Sequence, residues 1–281
     1  MTKVSPQHPR YRSLLVRAAL ADAHRSGLVV PEGLIAQGRG EAFDYFLGER
    51  TIPSARRAER AAADRLLRAR HPVVSVNGNV AALAAPAVAD LARAVPGLRV
   101  EVNLFHRTAR RARAVAARLR EAGVKDVLGV RPTATLPGLA SDRGWIDRRG
   151  IGAADVCLVP LEDGDRAEAL RRQGLFVIAI DLNPLSRTAR TADLPIIDEL
   201  SRALAGIAGA ARALRRRADR PSLPLPDGAV LRADALRRMR ARLARAAGSS
   251  GGPSRARASR RPARGTARPR RPQRAASRRG R

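Results

Sequence analysis

From residue 72 onward, the chain alternates short apolar runs with segments that have the composition and spacing of helices. The run Phe176–Ile180 contains no polar residue, which is typical of a central strand in a parallel sheet, because such a strand is buried on both faces. Strands that alternate with helices favour a parallel sheet covered by those helices. We therefore expect an α/β fold with a Rossmann-like, mostly parallel sheet and helices on both faces.

The predicted elements follow one another in the order that such a sheet requires. Before residue 70, the segments 12–26 and 54–69 have helical character. The stretch 33–48 between them contains four glycines. Within it, Gly38-Arg39-Gly40 predicts either a flexible turn or an arginine held near a phosphate. We predict strands at 73–76, 98–104, 126–130, 155–159, 176–180 and 194–197, and helices at 12–26, 54–69, 86–95, 109–122, 167–173, 198–217 and 227–246.

Composition divides the chain into three parts. We expect residues 1–70 to form a helical N-terminal segment packed on the core, and residues 71–247 to form the Rossmann-like core with a C-terminal helix. Residues 248–281 contain only Gly, Ser, Pro, Ala, Arg, Thr and Gln. Such a composition buries too little apolar surface to offset the entropy lost on ordering, so we predict a disordered, Arg-rich tail.

The net charge of +30 is distributed unevenly. All but two of the 55 basic residues are arginine, and residues 249–281 hold 12 of them with no acidic residue. Arginine neutralises phosphate groups, so nucleic-acid contact by the tail is one alternative, as is an Arg-rich nucleic-acid-binding protein with a degenerate Rossmann body. The single cysteine, Cys157, excludes an internal disulfide and is expected in the core, and no run suits a membrane span. We expect a cytoplasmic protein.

Polar residues collect where the predicted strands end. In open α/β sheets ligands bind outside the carboxyl ends of the strands, so these positions favour an enzyme. By position alone, we predict that the small-molecule substrates of such an enzyme contact Asn77, Asn79, Asn103, Arg107, Thr108, Glu162, Asp163 and Asp165.

Two of these strand ends suggest particular chemistry. The three carboxylates of residues 162–165 predict either a solvated helix start capped by Asp165, or a site for Mg²⁺ or a substrate ammonium group. The loop 181–188 offers a carboxylate for a ribose hydroxyl, and Arg187 and Thr188 as donors to phosphate oxygens; the alternative is an ordinary loop stabilised by Asx turns.

Several other kinds of site are excluded or disfavoured. No G-x-x-x-x-G-K-[ST] sequence is present, and no G-x-G-x-x-G follows a strand, so neither a P-loop nor a dinucleotide-binding site is supported. No His/Cys spacing suits zinc, and no G-x-S-x-G suits a serine hydrolase.

Six motifs together resemble the archaeal-type 4-phosphopantoate–β-alanine ligases, also called phosphopantothenate synthetases, over about residues 8–245. Their order and spacing carry the resemblance. The motifs are residues 8–17 with His8-Pro9-Arg10-Tyr11, residues 33–45 with Gly38-Arg39-Gly40, Ser75–Asn79, Glu101–Thr108, Val159–Arg166 and Asp181–Thr188.

The resemblance implies an enzyme of coenzyme A biosynthesis. It implies a Rossmann-like homodimer that condenses 4-phosphopantoate with β-alanine and converts ATP to AMP and diphosphate; Mg²⁺ is expected with ATP. Two positions depart from the family: Gln37 stands where a His is common, and Glu199 where an Asn is common. Another ATP-dependent acid–amine ligase on the same scaffold is an alternative. The ATP contacts implied for this chain are Arg17, Arg39, Asp181, Leu182, Asn183, Arg187, Thr188, Glu199 and Leu200.

Overall fold

The computed structural model describes residues 5–139, 141–217, 219 and 222–249. The predicted tail lies outside the described residues from residue 250 onward. No helix within the described residues is both long and apolar enough to cross a membrane. The division of the chain into the three predicted parts stays a prediction.

A six-stranded parallel sheet forms the centre of the fold, as the sequence predicts. Its strand order, β3-β2-β1-β6-β7-β8, is the order 3-2-1-4-5-6 of a doubly wound sheet, with a small antiparallel pair β4-β5 inserted after β3. The strand order reverses direction between the neighbours β1 and β6. The strands are β1 Pro72–Val76, β2 Arg99–Val102, β3 Val127–Leu128, β4 Ala134–Thr135, β5 Trp145–Ile146, β6 Val156–Pro160, β7 Phe176–Ile180 and β8 Leu194–Ile196.

Helices precede the sheet and connect its strands. Short 3-10 turns at Asp142–Gly144 and Ile151–Ala153 flank β5. The helices are α1 Tyr11–Arg25, α2 Pro31–Leu47, α3 Pro53–Arg68, α4 Gly78–Ala94, α5 Ala109–Glu121, α6 Gly164–Arg172, α7 Arg187–Thr191, α8 Leu200–Arg215 and α9 Gly228–Ser249.

The flexible turn considered around Gly38-Arg39-Gly40 is wrong, because these residues lie inside the continuous helix α2. Pro31 occupies the first turn, where its missing N–H costs no hydrogen bond. Gly48 ends the helix with a left-handed φ of 86°. Tertiary contacts with α9 and α4 outweigh the low helix propensity of the internal glycines.

Helix α4 also differs from the prediction, because it begins at Gly78 and not at Pro86. The side chain of Asn77 accepts a hydrogen bond from Val80 N and caps the helix there. Pro86 then lies within the helix, which is kinked at Ala84, as expected when a proline removes an N–H and crowds the preceding turn. Helix α7 and the β4-β5 pair are elements that the sequence analysis missed.

Alternate residues of the strands face two different layers. One face is apolar: Val74, Val76, Leu158 and Ile178 pack in one cluster with residues of α3, α4, α5 and α8. The opposite face contacts α6 and the segment around β4-β5 through a smaller apolar cluster that includes Val73 and Cys157. That opposite face also buries polar side chains of β1, β2 and the loop after β2, namely Ser75, Glu101 and Asn103.

Candidate functional site

A cleft of about 540 Å³ opens at the carboxyl edge of the sheet, next to the ends of β1 and β6. This is the point at which the strand order reverses, and the place where open α/β sheets bind ligands. The first turn of α4, one side of α2 and the loops after β2, β6 and β7 line it. The lining includes Gly33, Gln37, Arg39, Asn77, Asn79, Phe105, Arg111, Arg143, Glu162, Asp163, Asp181, Leu182, Asn183 and Arg187.

Asn77 ties the two central strands together at the floor of the cleft. Its amide nitrogen donates to Leu161 O at 2.9 Å and to Pro160 O at 3.3 Å, while its amide oxygen caps α4. Leu161 takes a left-handed φ of 52°, which turns the chain sharply after β6. The predicted site residue Asn77 therefore has a positioning role that is visible in its contacts.

Helix α2 forms the wall above this floor. The side chain of Asn79 donates to Gly33 O at 2.7 Å, and a Cβ atom at residue 33 would collide with the same side chain. The glycine therefore lets α2 approach α4 this closely without displacing the Asn79 side chain. The approach places Gln37 and Arg39 on the lining of the cleft.

The loop after β7 forms the side of the cleft beyond β6. Two Asx turns shape it, since Asn183 N donates to Asp181 Oδ1 and Leu185 N donates to Asn183 Oδ1, each at 2.9 Å. Ser186 Oγ donates to the other oxygen of Asp181. Burial raises the pKa of Asp181, while these hydrogen bonds and the charge of Arg39 oppose the rise.

The three carboxylates after β6 are engaged by arginines. Glu162 accepts from Arg143 and, at 2.7 Å, from the fully buried Arg166; Asp163 lies 2.7 Å from Arg143; and Asp165 pairs with Arg187. Burial raises the pKa of Asp163, and Arg143 opposes the rise. Asp163, not Asp165, occupies the N-cap of α6, so the expected capping by Asp165 is wrong.

No metal site is preformed in the described part of the chain. It contains no group of three or more His, Cys, Asp and Glu side chains placed to hold a metal ion. The carboxylates that the sequence offered to Mg²⁺ are those already paired with arginines, so they do not fit a resident metal ion as they stand.

Nine of the predicted site residues line the cleft, and four of the predicted ATP contacts do not. The hydroxyl of Thr188 donates to Glu162 O at 2.6 Å and so links the loops after β7 and β6. Glu199 caps α8 by accepting from the amides of residues 201 and 202, and Leu200 is buried. Arg17, on α1, pairs with Glu41 of α2 at 3.1 Å. None of these four lines the cleft in the described structure.

The other predicted substrate contacts also lie outside the lining. Asn103 is buried and bonds to Ser75, Glu101 and the carbonyl of Trp145. Arg107 turns its guanidinium towards the carbonyls of residues 129 and 130, and Thr108 caps α5. Asp165, already paired with Arg187, is exposed.

Sequence reasoning missed Arg111, Arg143 and Phe105 as lining residues. The guanidinium of Arg143 lies 5.1 Å from the centre of the Phe105 ring, which it covers. Arg143 lies in the inserted segment before β5, where no local pattern pointed to a site. Arg111 had a weak signal, since it follows a polar strand end by one helical turn.

Cys157 has the core role that the sequence predicts. It is fully buried in β6, and burial raises the pKa of its thiol to about 12. A thiol in this state is not a nucleophile at neutral pH.

Comparison with known proteins gives the family. The family model described as "Phosphopantothenate/pantothenate synthetase" matches residues 54–238. The chain belongs to this family. Curated relatives named 4-phosphopantoate–β-alanine ligase include those of Thermococcus onnurineus (strain NA1), 52% identical over 76% of this chain and 82% of the relative, and Methanosarcina mazei, 52% over 77% and 85%. A third, from Methanospirillum hungatei, is 56% identical over 73% and 83%.

Proposed function

We propose that the protein is an ATP-dependent ligase that joins 4-phosphopantoate to β-alanine to give 4′-phosphopantothenate in coenzyme A biosynthesis. The observation that carries this proposal is a cleft lined by four arginines, at the point where the strand order of the sheet reverses, in a chain that belongs to this family. The relatives, which carry the name of that ligase, support the same choice of substrates.

The chemical problem is that a carboxylate does not react with an amine at neutral pH. We propose that the carboxylate of 4-phosphopantoate attacks the α-phosphorus of ATP, forming an acyl-adenylate and expelling diphosphate. The amine of β-alanine then attacks the acyl carbon, and AMP leaves. The first step thereby gives the acyl carbon a good leaving group, AMP, in place of a poor one, and the second step expels that AMP as the amine loses a proton.

Negative charge builds up on the phosphates in the first step. Preorganised donors that face such charge give the largest single contribution in many enzymes. Arg39 and Arg187 line the cleft near the loop after β7, and the buried Asp181 there offers its carboxylate to a ribose hydroxyl. We propose that this end of the cleft binds ATP, and that Thr188, Glu199 and Leu200 support it from behind.

Arg187 must change partners for this role, because it now bonds to Asp165 and, at 2.5 Å, to Glu168. All three side chains are substantially exposed, and ion pairs of that kind contribute little because water and salt screen them. ATP phosphates therefore compete for this arginine at little cost. We propose that Mg²⁺ arrives bound to those phosphates, since Mg²⁺ is often held mainly by substrate oxygens and water.

Two properties implied by the family resemblance belong to the proposal as well. We propose that the protein is a homodimer that acts in the cytoplasm. Light scattering coupled to size exclusion tests the first, with a mass near twice the 30.1 kDa of one chain expected. A mass of one chain at micromolar concentration contradicts it.

The test of the reaction is an assay of the purified chain with ATP, Mg²⁺, β-alanine and 4-phosphopantoate, followed by product analysis. We expect 4′-phosphopantothenate, AMP and diphosphate in equal amounts. ADP and phosphate in place of AMP would show an acyl-phosphate mechanism. Turnover with other acids or amines, and none with this pair, would favour a different acid–amine ligase.

Oxygen labelling tests the intermediate separately. When the carboxylate of 4-phosphopantoate carries ¹⁸O, an acyl-adenylate leaves one labelled oxygen on AMP. Unlabelled AMP, formed together with the amide product, would contradict the adenylate.

A further inference from the structure

The cleft has an arginine at its β2 end whose charge is not balanced by a carboxylate. Arg111, in the first turn of α5, is half-buried and donates to the carbonyl oxygens of His106 and, at 3.3 Å, Leu28. Its Nε atom is buried and lacks a hydrogen-bond partner among the described residues. Burial lowers the pKa of Arg111, and the charge of Glu32 opposes that lowering.

The four arginines of the lining divide into two kinds. Arg143 and Arg187 are held by carboxylates, as described above. Within the described residues, Arg39 and Arg111 form no ion pair with a carboxylate. These two cations can therefore meet an anionic ligand without giving up an ion pair.

Arg39 and Arg111 also lie towards opposite ends of the cleft. The charge of Arg39 acts on Asp181, directly after β7, whereas Arg111 follows β2 by one short loop. Strands β2 and β7 are separated in the sheet by β1 and β6. Three interstrand spacings amount to about 14–15 Å. The cleft thus offers two separate places for anions.

The proposed reaction needs this arrangement. The carboxylate of the acid must face the α-phosphorus of ATP, and the phosphate of 4-phosphopantoate is at the other end of its carbon chain. With ATP at the Arg39 end, that phosphate points towards the Arg111 end. A guanidinium pairs well with phosphate oxygens through charge-assisted hydrogen bonds.

We propose that Arg111 binds the phosphate group of the acid substrate and thereby makes the enzyme prefer the phosphorylated acid to the unphosphorylated one. This inference rests on the proposed function. The first turn of α4 lies against the same guanidinium, since a Cβ atom at Gly78 would lie 3.2 Å from Arg111 Nη2. A side chain at residue 78 would therefore crowd the position assigned to the phosphate.

The experiment compares two acids in the wild-type protein and in the variant Arg111→Gln. With ATP and β-alanine saturating, kcat/KM is measured for 4-phosphopantoate, and pantoate is measured as a substrate or as a competitive inhibitor. We expect Arg111→Gln to lower kcat/KM for 4-phosphopantoate about 10- to 100-fold, because the substrate phosphate loses one charged hydrogen-bonding partner. The constants for pantoate and the KM for ATP change less than about twofold.

Two further variants make the result specific. Arg110→Gln removes the same charge from an exposed neighbour in the same turn and is expected to behave as the wild type. Arg111→Lys keeps the charge but loses the planar fork, so we expect an intermediate loss.

An equal loss for both acids in Arg111→Gln, or an unchanged preference between them, would overturn the inference and leave the ligase function standing. If the wild-type protein does not join 4-phosphopantoate to β-alanine at all, the proposed function fails, and this inference fails with it.

Discussion

The two faces of the central sheet differ in what they bury. The face towards α3, α4 and α8 is filled by aliphatic side chains, many of them alanines, and it supports the strands mainly through apolar packing. The face towards α6 and the inserted segment buries a connected polar network. The difference shows that one face provides packing and the other fixes the orientation of groups at the cleft.

The polar network joins elements that are distant in sequence. Arg166 donates to Ser75 Oγ at 2.9 Å and to Glu162, and Ser75 donates to Asn103. Asn103 then bonds to Glu101, whose carboxylate accepts from the amides of residues 147 and 151. Glu162 also pairs with Arg143, which belongs to the inserted segment and lines the cleft. The network therefore holds the lining from two sides.

The largest expected effect is that of Arg166→Met, which tests the polar face. Removing Arg166 breaks its buried ion pair with Glu162 and leaves that carboxylate with Arg143 alone, and we expect the free energy of unfolding to fall by about 3–5 kcal/mol. Urea unfolding measures it. The matched control is Arg172→Met in the exposed part of the same helix, where a change above about 1 kcal/mol would contradict the comparison.

The next effect tests the apolar face. Leu158→Ala leaves a cavity in β6, and we expect a loss of about 2–5 kcal/mol in the free energy of unfolding. The variant Leu158→Met nearly keeps the volume and should lose less than about 1.5 kcal/mol. Activity per folded molecule should stay close to wild type for both, because the polar network that holds Glu162 and Arg143 lies on the opposite face. A tenfold fall in kcat for Leu158→Met argues against that division.

A smaller, pH-dependent effect comes from a polar cluster at the edge of the apolar face. Burial first, and then the neighbouring Asp198, raise the pKa of Glu59 to about 8. Asp198 in turn accepts from Thr51 at 2.6 Å and from Arg202. The folded state thus holds a proton on Glu59 up to about pH 8, whereas the unfolded chain releases it near the ordinary glutamate pKa of 4.5.

Stability contributed by this proton is present below about pH 4.5 and is lost as pH rises to about 8. Glu59→Gln keeps the uncharged form at every pH, so its unfolding free energy should fall less than that of wild type between pH 5 and 8.5. Denaturant unfolding at those two values provides the measurement. Parallel pH dependence in the two proteins would show that Glu59 is charged in the folded state.

The smallest effect is expected outside both faces. Removing residues 250–281 takes away 12 arginines and leaves every described lining residue of the cleft in the chain, so kcat/KM for ligation should change less than about twofold. The same truncation should abolish any salt-sensitive binding of nucleic acid by the tail. A tenfold loss of ligation would give the tail a part in the enzyme.

Much of this architecture is predictable from periodicity alone. Phe176–Ile180 is apolar throughout and is found as β7 with the same bounds. Pro86 does not mark the start of α4, although the sequence pattern predicts a helix from that residue. The side chain of Asn77 caps the helix eight residues earlier, at Gly78. Likewise, tertiary contacts make a helix of the glycine-containing segment 33–48.

The site is predictable to a lesser degree. Strand ends pointed to Asn77, Glu162 and Asp181, because chain direction in a parallel sheet brings them to one edge. Arg143 could not be found in this way, since its place depends on a carboxylate and an aromatic ring far away in sequence. Arg107 and Asn103 stay predictions, since the structure shows both bonded to other groups of the protein and neither in the lining of the cleft.

The measurement that tests the central claim most directly is the ligation rate of Arg39→Ala beside that of the wild type and of Arg113→Ala. Arg39 is an exposed cleft residue, so we expect an unchanged fold by circular dichroism and a kcat/KM for ATP lowered about 10- to 100-fold. Arg113 is exposed on α5 and does not line the cleft, so its variant should match wild type. Near-normal ligation by Arg39→Ala would contradict the placement of ATP in this cleft.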